Sequence, residues 1–295
     1  MSEYVLTSCS PADLSLQEFT ALKIPYISFH YELGGVARLD DLWTNMAPRD
    51  FYQAMLDGAE TRTSQVNVEE YEAFWRPFLS EGKDIVHVTL SSGISGTINS
   101  ARIAAEDLKA EFPDNNVYVI DSLAASSGFG LLLDAMAEYR DQGASAEELV
   151  RFAEDRKLHL HHWFFSTDLT FFIRGGRVSK TAGFFGKLLN ICPLLNVDYK
   201  GRLIPRDKIR SKKKVIREIE ARMEAHAEDG LDYSGKCFIS HSDCIEDAQA
   251  VAALVETAFP KLNGKVVIHN IGSTIGAHTG PGTVALFFWG DERVD

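Results

Sequence analysis

The sequence predicts an α/β protein, with a mostly parallel sheet in its first half and a second α/β domain after it. Apolar, β-branched segments alternate with helical segments in the first half, and this alternation favours parallel strands covered by helices. The pattern changes near residue 156, where hairpin signals begin. A chain of 295 residues also suits two domains of ordinary size. We therefore expect an N-terminal domain over 1–155 and a C-terminal domain over 156–295.

In the first domain, apolar runs predict strands over 4–7, 25–33, 84–90 and 117–120. Helices are predicted over 48–56, 97–110, 126–141 and 145–157. A serine or asparagine followed three residues later by glutamate has the spacing of a capping box, which marks the start of a helix. Three such pairs occur, at Ser15 and Glu18, Asn67 and Glu70, and Ser145 and Glu148.

In the second domain, strands are predicted over 159–166, 188–197, 202–207, 235–240, 265–270 and 283–289. Lys200 and Gly201 fit a hairpin turn between two of them. Two long helices are predicted, over 211–228 and 244–259. The segment 272–282 is rich in glycine and is predicted to be a loop.

Composition excludes several classes of protein. Lys and Arg total 30 against 42 Asp and Glu, a net charge of −12, which argues against a nucleic-acid-binding protein. No apolar run approaches the roughly 18 residues of a membrane span, and the N-terminus lacks the basic and apolar regions of a signal peptide. Four cysteines in 295 residues do not form a disulfide framework. We expect a soluble protein of the reducing cytoplasm.

The segment Ser91–Gly96 lies between a predicted strand and a predicted helix. In open α/β sheets, ligands bind at such loops, where N–H groups at the helix start favour an anion. Ser92 adds a hydroxyl donor, and Gly93 and Gly96 allow close approach to the backbone. An ordinary N-capped turn is the alternative, but the number of serines and glycines exceeds what a cap needs.

Two further loops carry hydroxyl or imidazole groups beside small residues. Thr63 lies in the segment 61–65, which is predicted to be a loop between two helices. His278 and Gly280 lie in the glycine-rich segment 272–282. A lone histidine is more often structural than functional, and the glycines around His278 strengthen the functional interpretation. No Walker A motif and no G-x-S-x-G elbow is found.

His159, His161 and His162 suggest a metal site at first sight. On a strand, His159 and His161 would share one face and His162 would point to the other. No acidic residue or cysteine lies at metal-ligand spacing from them. A packed or exposed strand is therefore the better interpretation, and we expect no metal site.

Seven basic residues lie between Arg206 and Arg217, opposed only by Asp207. A solvated helix start is one interpretation of this run. Cations at a helix N-terminus oppose the helix dipole, however, so local stability does not explain them. A cationic patch on an acidic protein suits a phosphate group or an acidic partner surface, to which Arg174 and Arg177 would add.

Taken together, these segments resemble the DegV family of bacterial fatty-acid-binding proteins. The resemblance covers nearly the whole chain, and its motifs occur in the order of the family. The matching segments are 63–65, 91–97, 172–179, 188–195, 208–210 and 278–282.

The resemblance implies two α/β domains with one long-chain fatty acid in a tunnel between them. It assigns the carboxylate to Thr63 and Ser92, with His278 close by. The backbone of Gly93, Gly96 and Gly280 would shape the loops around it. It also implies that Arg177 and Arg210 handle the phosphorylated headgroup or a partner kinase. We place Phe184, Phe185, Leu188 and Leu189 at the end of the tunnel.

Family members serve as the lipid-binding subunit of a two-part fatty acid kinase, so the resemblance implies a substrate-presenting subunit and not an enzyme. The partner kinase would bring ATP and Mg²⁺, and acyl phosphate for phospholipid synthesis would be the product. This chain has Ser8 where the family usually has aspartate. Two alternatives stay open. One is a lipid sensor without a kinase partner, and the other is an enzyme that holds a phosphorylated small molecule at Ser91–Gly96.

Overall fold

The computed structural model describes residues 3–179 and 191–294. In chain order the strands are β1 (Tyr4–Cys9), β2 (Tyr26–Ile27), β3 (His30–Leu33), β4 (Val36–Leu39), β5 (Thr61–Ser64), β6 (Asp84–Thr89), β7 (Val117–Asp121), β8 (Leu160–Ser166), β9 (Ile191–Val197), β10 (Leu203–Arg210), β11 (Phe238–His241), β12 (Val267–Asn270) and β13 (Thr283–Trp289). The α-helices are α1 (Leu16–Ala21), α2 (Pro48–Leu56), α3 (Val68–Ser80), α4 (Thr97–Glu111), α5 (Ser126–Asp141), α6 (Ala146–Arg156), α7 (Thr170–Arg174), α8 (Lys212–His226), α9 (Ile245–Ala258) and α10 (Ser273–Thr279).

Two sheets carry the fold. Four parallel strands of the N-terminal half pair in the order β2-β1-β6-β7. Six strands of the C-terminal half pair in the order β10-β9-β8-β13-β11-β12, all antiparallel except β11 with β12. The expected mixed α/β architecture is confirmed. The helix α5 packs against β8, β11 and β13 of the second sheet, although it precedes residue 156 in the chain. The division at residues 155 and 156 stays a proposal.

Helices begin where the local sequence satisfies their first N–H groups. All three predicted capping boxes form, at the starts of α1, α3 and α6. In the third, Ser145 Oγ accepts from Glu148 N–H at 3.2 Å, and Glu148 Oε2 accepts from Ser145 N–H at 2.8 Å. Each box satisfies two donors that the helix itself leaves open.

A third sheet of three antiparallel strands, in the order β4-β3-β5, corrects two predictions. The single strand predicted over 25–33 is divided into β2 and β3, which belong to different sheets. The loop predicted over 61–65 is largely the strand β5, in which Thr63 pairs with Tyr31. Hydrophobic periodicity misses β5 because its half-buried positions, Thr61 and Thr63, are polar.

The glycine-rich segment 272–282 was predicted to be a loop, but most of it forms the helix α10. Gly276 makes this helix possible, since a Cβ there would lie 2.5 Å from the Tyr52 hydroxyl oxygen. Close packing against α2 outweighs the low helix propensity of glycine. The predicted turn at Gly201 is confirmed, and its φ of +70° is one that glycine adopts freely.

Two apolar cores hold these layers. The larger one lies between the helices and the two large sheets. The smaller one joins the three-stranded sheet to α2 and α10 through buried Tyr31, Leu33, Phe51, Met55 and Ala277. Within the described ranges, every helix is too short or too polar to cross a lipid bilayer. Phe184, Phe185, Leu188 and Leu189 lie outside the described residues.

Candidate functional site

A cavity of about 760 Å³ lies between the two large sheets. One wall is a face of the six-stranded sheet, where alternate residues of β13 (Thr283, Ala285 and Phe287) and of β8 (His162 and Phe164) point inward. The opposite wall comes from the carboxyl ends of β6 and β7, where ligands of α/β proteins commonly bind. The volume is in the usual range for a small-molecule site.

Much of the cavity wall is apolar. The side chains come from both halves of the chain, so burying a ligand here would bring hydrophobic surface of both sheets against it. They include Phe29, Leu90, Ile98, Phe164, Phe172, Val197, Leu203, Ile271, Ala285 and Phe287. Phe164 and Phe172 stack with their ring centres 5.9 Å apart.

Thr63 and His278 form a polar pair in the cavity wall. Thr63 Oγ1 lies 2.7 Å from His278 Nε2, within hydrogen-bond distance. Burial, with a smaller effect from Arg177, lowers the pKa of His278 to about 4, so the imidazole is neutral at pH 7. Its Nδ1 atom is buried without a hydrogen-bond partner in the described part of the chain. An unpaired buried polar atom is costly, and a ligand group or water here would relieve that cost.

Ser92 lies across the same cavity, in the loop that precedes α4. Asp121, the last residue of β7, fixes this loop because its Oδ1 accepts from the N–H groups of Ser92 and Leu123, both at 3.1 Å. Thr63, Ser92 and His278 therefore line one cavity, although they come from three separate parts of the chain.

The Ser91–Gly96 loop is tied to the β9–β10 hairpin. Ser91 Oγ donates to the carbonyl oxygen of Gly201 at 2.8 Å and accepts from Gly93 N–H at 3.0 Å. A Cβ on Gly93 would lie 2.4 Å from that same carbonyl oxygen. Gly96 is crowded too, since its Cβ would lie 2.7 Å from Gln65 Oε1. Gly93 has no room for a side chain because the atom it would meet belongs to the backbone, whereas the end of the Gln65 side chain could move away from a Cβ at Gly96.

Arg177 brings a cation to the cavity. It is half-buried, its Nη1 donates to the Gly175 carbonyl oxygen at 2.6 Å, and burial lowers its pKa. Gly175 packs against His278, because a Cβ there would lie 2.2 Å from His278 Nδ1. Gly280, which ends α10 with φ of +64°, leaves no room for a Cβ beside the Phe171 ring, 2.1 Å away.

Arg210 lies apart from these groups. It is the exposed last residue of β10, and it does not line the cavity. One cation of the basic run beside it is neutralised, since Lys212 pairs with Asp247 at 2.8 Å. Arg206 donates a hydrogen bond to the uncharged Asn196 side chain at 2.8 Å.

Sequence reasoning missed a buried acidic group at the cavity wall. Ser126, which lines the cavity, donates to Asp13 Oδ2 at 2.5 Å and lies 2.8 Å from the hydroxyl of Ser240. Burial raises the pKa of Asp13 well above its ordinary value and also raises that of Asp40 nearby. Ser126 has a positive φ, and the sequence around it does not predict this conformation. Ser8 is buried, and its hydroxyl has no partner among the described residues.

The arrangement suits a ligand with a polar head and an apolar body. Hydroxyl and imidazole groups and two arginines, Arg102 and Arg177, line part of the cavity, and aromatic and aliphatic side chains line much of the rest. Such a division fixes the orientation of a ligand, since its polar end is stable only where hydrogen-bond partners exist.

Comparison with known proteins adds an independent finding. The model of a family described as "Uncharacterised protein, DegV family" matches residues 7–291. A DegV domain-containing protein of Clostridium perfringens is 33% identical over 293 residues, 99% of each chain. A protein of Thermotoga maritima named fatty acid-binding protein is 35% identical over 245 residues, 80% of each chain.

Solved structures share the fold. A DegV family protein of Thermus thermophilus, described by its fatty acid binding, has a TM-score of 0.87 and 26% identity, over 98% of this chain and 100% of its own. The fatty acid kinase B3 protein of Streptococcus pneumoniae, loaded with linoleic acid, has a TM-score of 0.81 and 20% identity, over 99% of this chain and 100% of its own. At that identity the likeness concerns the fold alone.

Proposed function

As this chain belongs to the DegV family, we propose that its cavity holds one long-chain fatty acid and presents the carboxylate to a partner kinase. The observation that carries this proposal is one cavity lined both by the polar pair of Thr63 and His278 and by many aromatic and aliphatic side chains. The related protein of Thermotoga maritima, named for fatty acid binding, supports the same class of ligand.

The apolar body would supply most of the affinity. Burying a dozen methylene groups yields about 10 kcal/mol at roughly 0.8 kcal/mol each. Association costs about 4–15 kcal/mol in lost freedom, so a useful surplus needs a cavity that exists before the lipid arrives. The walls formed by β8 and β13 belong to a continuous sheet, which keeps the space open.

The polar end would hold the carboxylate. We assign its hydrogen bonds to the hydroxyl groups of Thr63 and Ser92, with His278 beside Thr63. A buried carboxylate without partners costs several kcal/mol, so these donors decide which end of the lipid faces this site. Because the donors are neutral, an oxygen of the carboxylate keeps the electron density that it needs to attack a phosphoryl group.

The kinase step belongs to a partner in this proposal. The partner would supply ATP and Mg²⁺, and the carboxylate oxygen would attack the γ-phosphorus to give acyl phosphate and ADP. Arg177 lies near the polar end and is suited to the added negative charge, and exposed Arg210 is suited to contact with the partner. The ordered family motifs in the sequence support this role.

Native mass spectrometry with an 18-carbon acid tests the proposal. The delipidated protein should take up one oleic acid per chain, and oleyl alcohol should bind far more weakly because it lacks the carboxylate. Lipid extracted from the protein as purified should contain a fatty acid. Absence of both bound acid and extracted acid would contradict fatty acid binding, and equal binding of the alcohol would contradict the assigned polar end.

A further inference from the structure

Three possible metal ligands meet on the face of the six-stranded sheet that points away from the cavity. They are His161, His226 and Asp291, and one nitrogen or oxygen atom of each lies within 4.8 Å of the others. His161 Nε2 is 2.8 Å from Asp291 Oδ1, and His226 Nδ1 is 3.2 Å from the same oxygen. The two imidazole rings stack with their centres 5.0 Å apart.

The fold brings these residues together from distant parts of the chain. His161 lies near the start of β8, 130 positions before Asp291, and His226 ends α8, 65 positions before it. A backbone hydrogen bond holds Asp291 next to His226, since Asp291 N–H donates to the carbonyl oxygen of His226 at 3.0 Å. Gly290 is required there, because a Cβ would lie 2.2 Å from that carbonyl oxygen and 2.8 Å from His161 Cδ2.

The three groups differ in how they are held. His161 Nε2 lies 2.9 Å from the backbone carbonyl oxygen of Asp291 as well as 2.8 Å from its carboxylate, and a bound ion would take the place of the hydrogen bonds made there. Metal binding needs neutral histidine and ionised carboxylate. The side chain of His161 is 6% exposed, whereas His226 is 32% and Asp291 61% exposed. One ligand is therefore anchored in the protein, and the other two are open to solvent, which gives an ion a path of entry.

We propose that His161, His226 and Asp291 bind a divalent transition-metal ion of the Zn²⁺ class. Around Zn²⁺, ligand atoms lie about 2.0–2.2 Å from the metal, which places tetrahedral ligands about 3.4 Å from one another. The observed separations of 2.8 and 3.2 Å are close to this spacing. A fourth position faces solvent and would hold water. Two imidazoles and one carboxylate form a set that zinc sites use.

The proposed ion would connect the start of β8, the end of α8 and the segment after β13. It is independent of the proposed fatty acid binding, since His161 and the cavity-lining His162 lie on opposite faces of β8. Local spacing in the sequence predicts no metal site at these histidines. The ligands His226 and Asp291 are neighbours of His161 only in the folded chain.

Isothermal titration of the EDTA-treated full chain with Zn²⁺ at pH 7 tests this site. We expect one ion per chain, together with a rise in melting temperature on adding Zn²⁺. His226→Gln and Asp291→Asn change exposed positions and should leave the fold intact. Each should weaken Zn²⁺ binding by more than roughly 10-fold, because even changes outside the ligand set cost 10–100-fold.

His30→Gln is the matched control, since His30 pairs with Glu70 at 2.9 Å and is similarly exposed, at 31%, but lies far from the cluster. This variant should bind Zn²⁺ like the unaltered chain. The proposal is overturned if no stoichiometric binding occurs, or if His226→Gln and Asp291→Asn bind Zn²⁺ as tightly as the control. Oleic acid binding should be the same in all of these variants.

Discussion

Thr63 and His278 are 215 positions apart in the chain, yet their side chains lie 2.7 Å from each other in the cavity wall. Thr63 is placed by the edge strand β5 and His278 by the helix α10, and both elements pack on the smaller core. This part of the proposed carboxylate site therefore depends on the three-stranded sheet, α10 and the smaller core, which belong to neither large sheet.

Thr63→Val tests the hydroxyl of this pair. Valine keeps the shape and removes the hydrogen bond, and a hydrogen bond to a charged group is worth about 1.5–3 kcal/mol. Oleic acid affinity, measured by titration calorimetry, should fall roughly 10-fold or more. Thr61→Val is the control, since Thr61 donates to the Ala277 carbonyl oxygen at 3.0 Å and does not line the cavity. Equal affinity of the two variants would count against Thr63 as a ligand.

Ser92→Ala tests the second hydroxyl. Because Ser92 is exposed to the cavity and Asp121 holds its backbone N–H, the loop should keep its shape without the side-chain oxygen. Most of the bound fatty acid should be lost, as measured by native mass spectrometry of the purified variant. Ser80→Ala, on the outer end of α3, should retain full occupancy. Unchanged occupancy in Ser92→Ala would remove this residue from the site.

Gly201→Ala tests the contact between the hairpin and the Ser91–Gly96 loop. A Cβ at Gly201 would lie 1.9 Å from Ser91 Oγ, so the loop must move. Gly82→Ala has a similar φ, +75° against +70°, but meets no atom within 4 Å. Both variants should lose about 1 kcal/mol from backbone strain, and Gly201→Ala should lose distinctly more in urea denaturation. Equal losses would mean that the loop contact contributes little to stability.

His278→Gln tests the buried imidazole through pH. The pKa of His278 is about 4 in the folded chain against an ordinary 6.5, so the unfolded chain takes up this proton first. Above about pH 6.5 the group is neutral in both states. As the pH falls from 6.5 towards 4, its protonation stabilises only the unfolded state.

The free energy of unfolding of His278→Gln should therefore fall less steeply with decreasing pH in this window than that of the unaltered chain. Urea denaturation at closely spaced pH values between 4 and 8 measures both slopes. Between pH 7 and 8 the two curves should run parallel, which provides the internal control. Identical slopes below pH 6.5 would show that His278 is not buried in its neutral form.

Arg210→Ala tests the role of the partner kinase. This exposed arginine lies outside the cavity, so oleic acid binding should be unchanged. Acyl phosphate formation with a bacterial fatty acid kinase subunit, ATP and Mg²⁺ should slow at least several-fold. Arg151→Ala, an exposed arginine of α6, should keep the normal rate. Acyl phosphate formation at equal rates in both variants would remove Arg210 from the partner surface.

The sequence predicted the elements that local patterns define. Capping pairs such as Ser145 and Glu148 marked helix starts correctly, because the donors that they satisfy belong to the same turn. It missed β5 because polar Thr61 and Thr63 become half-buried only against α10. It also missed α10, since the need for Gly276 arises from a tyrosine more than 200 positions away. Both errors concern positions that distant contacts determine.

The residues of the candidate site likewise divide into those that local motifs predict and those that only distant contacts bring together. Thr63, Ser92 and His278 were named from motifs, and all three line the cavity. Asp13 and Ser126 were not named, because their hydrogen bond joins residues 113 positions apart. Local spacing around His159, His161 and His162 likewise gives no signal of Asp291, which meets His161 only in the folded chain.

The smaller core has a consequence for how the molecule moves. Tyr31, Phe51 and Ala277 join the supports of Thr63 and His278 into one body. If the two large sheets shift relative to each other when a ligand enters or leaves, we expect β5 and α10 to move together and to keep Thr63 beside His278. Ser92, which Asp121 of β7 holds, would instead follow the parallel sheet, so such a shift would change the distance between the two hydroxyl groups of the proposed carboxylate site.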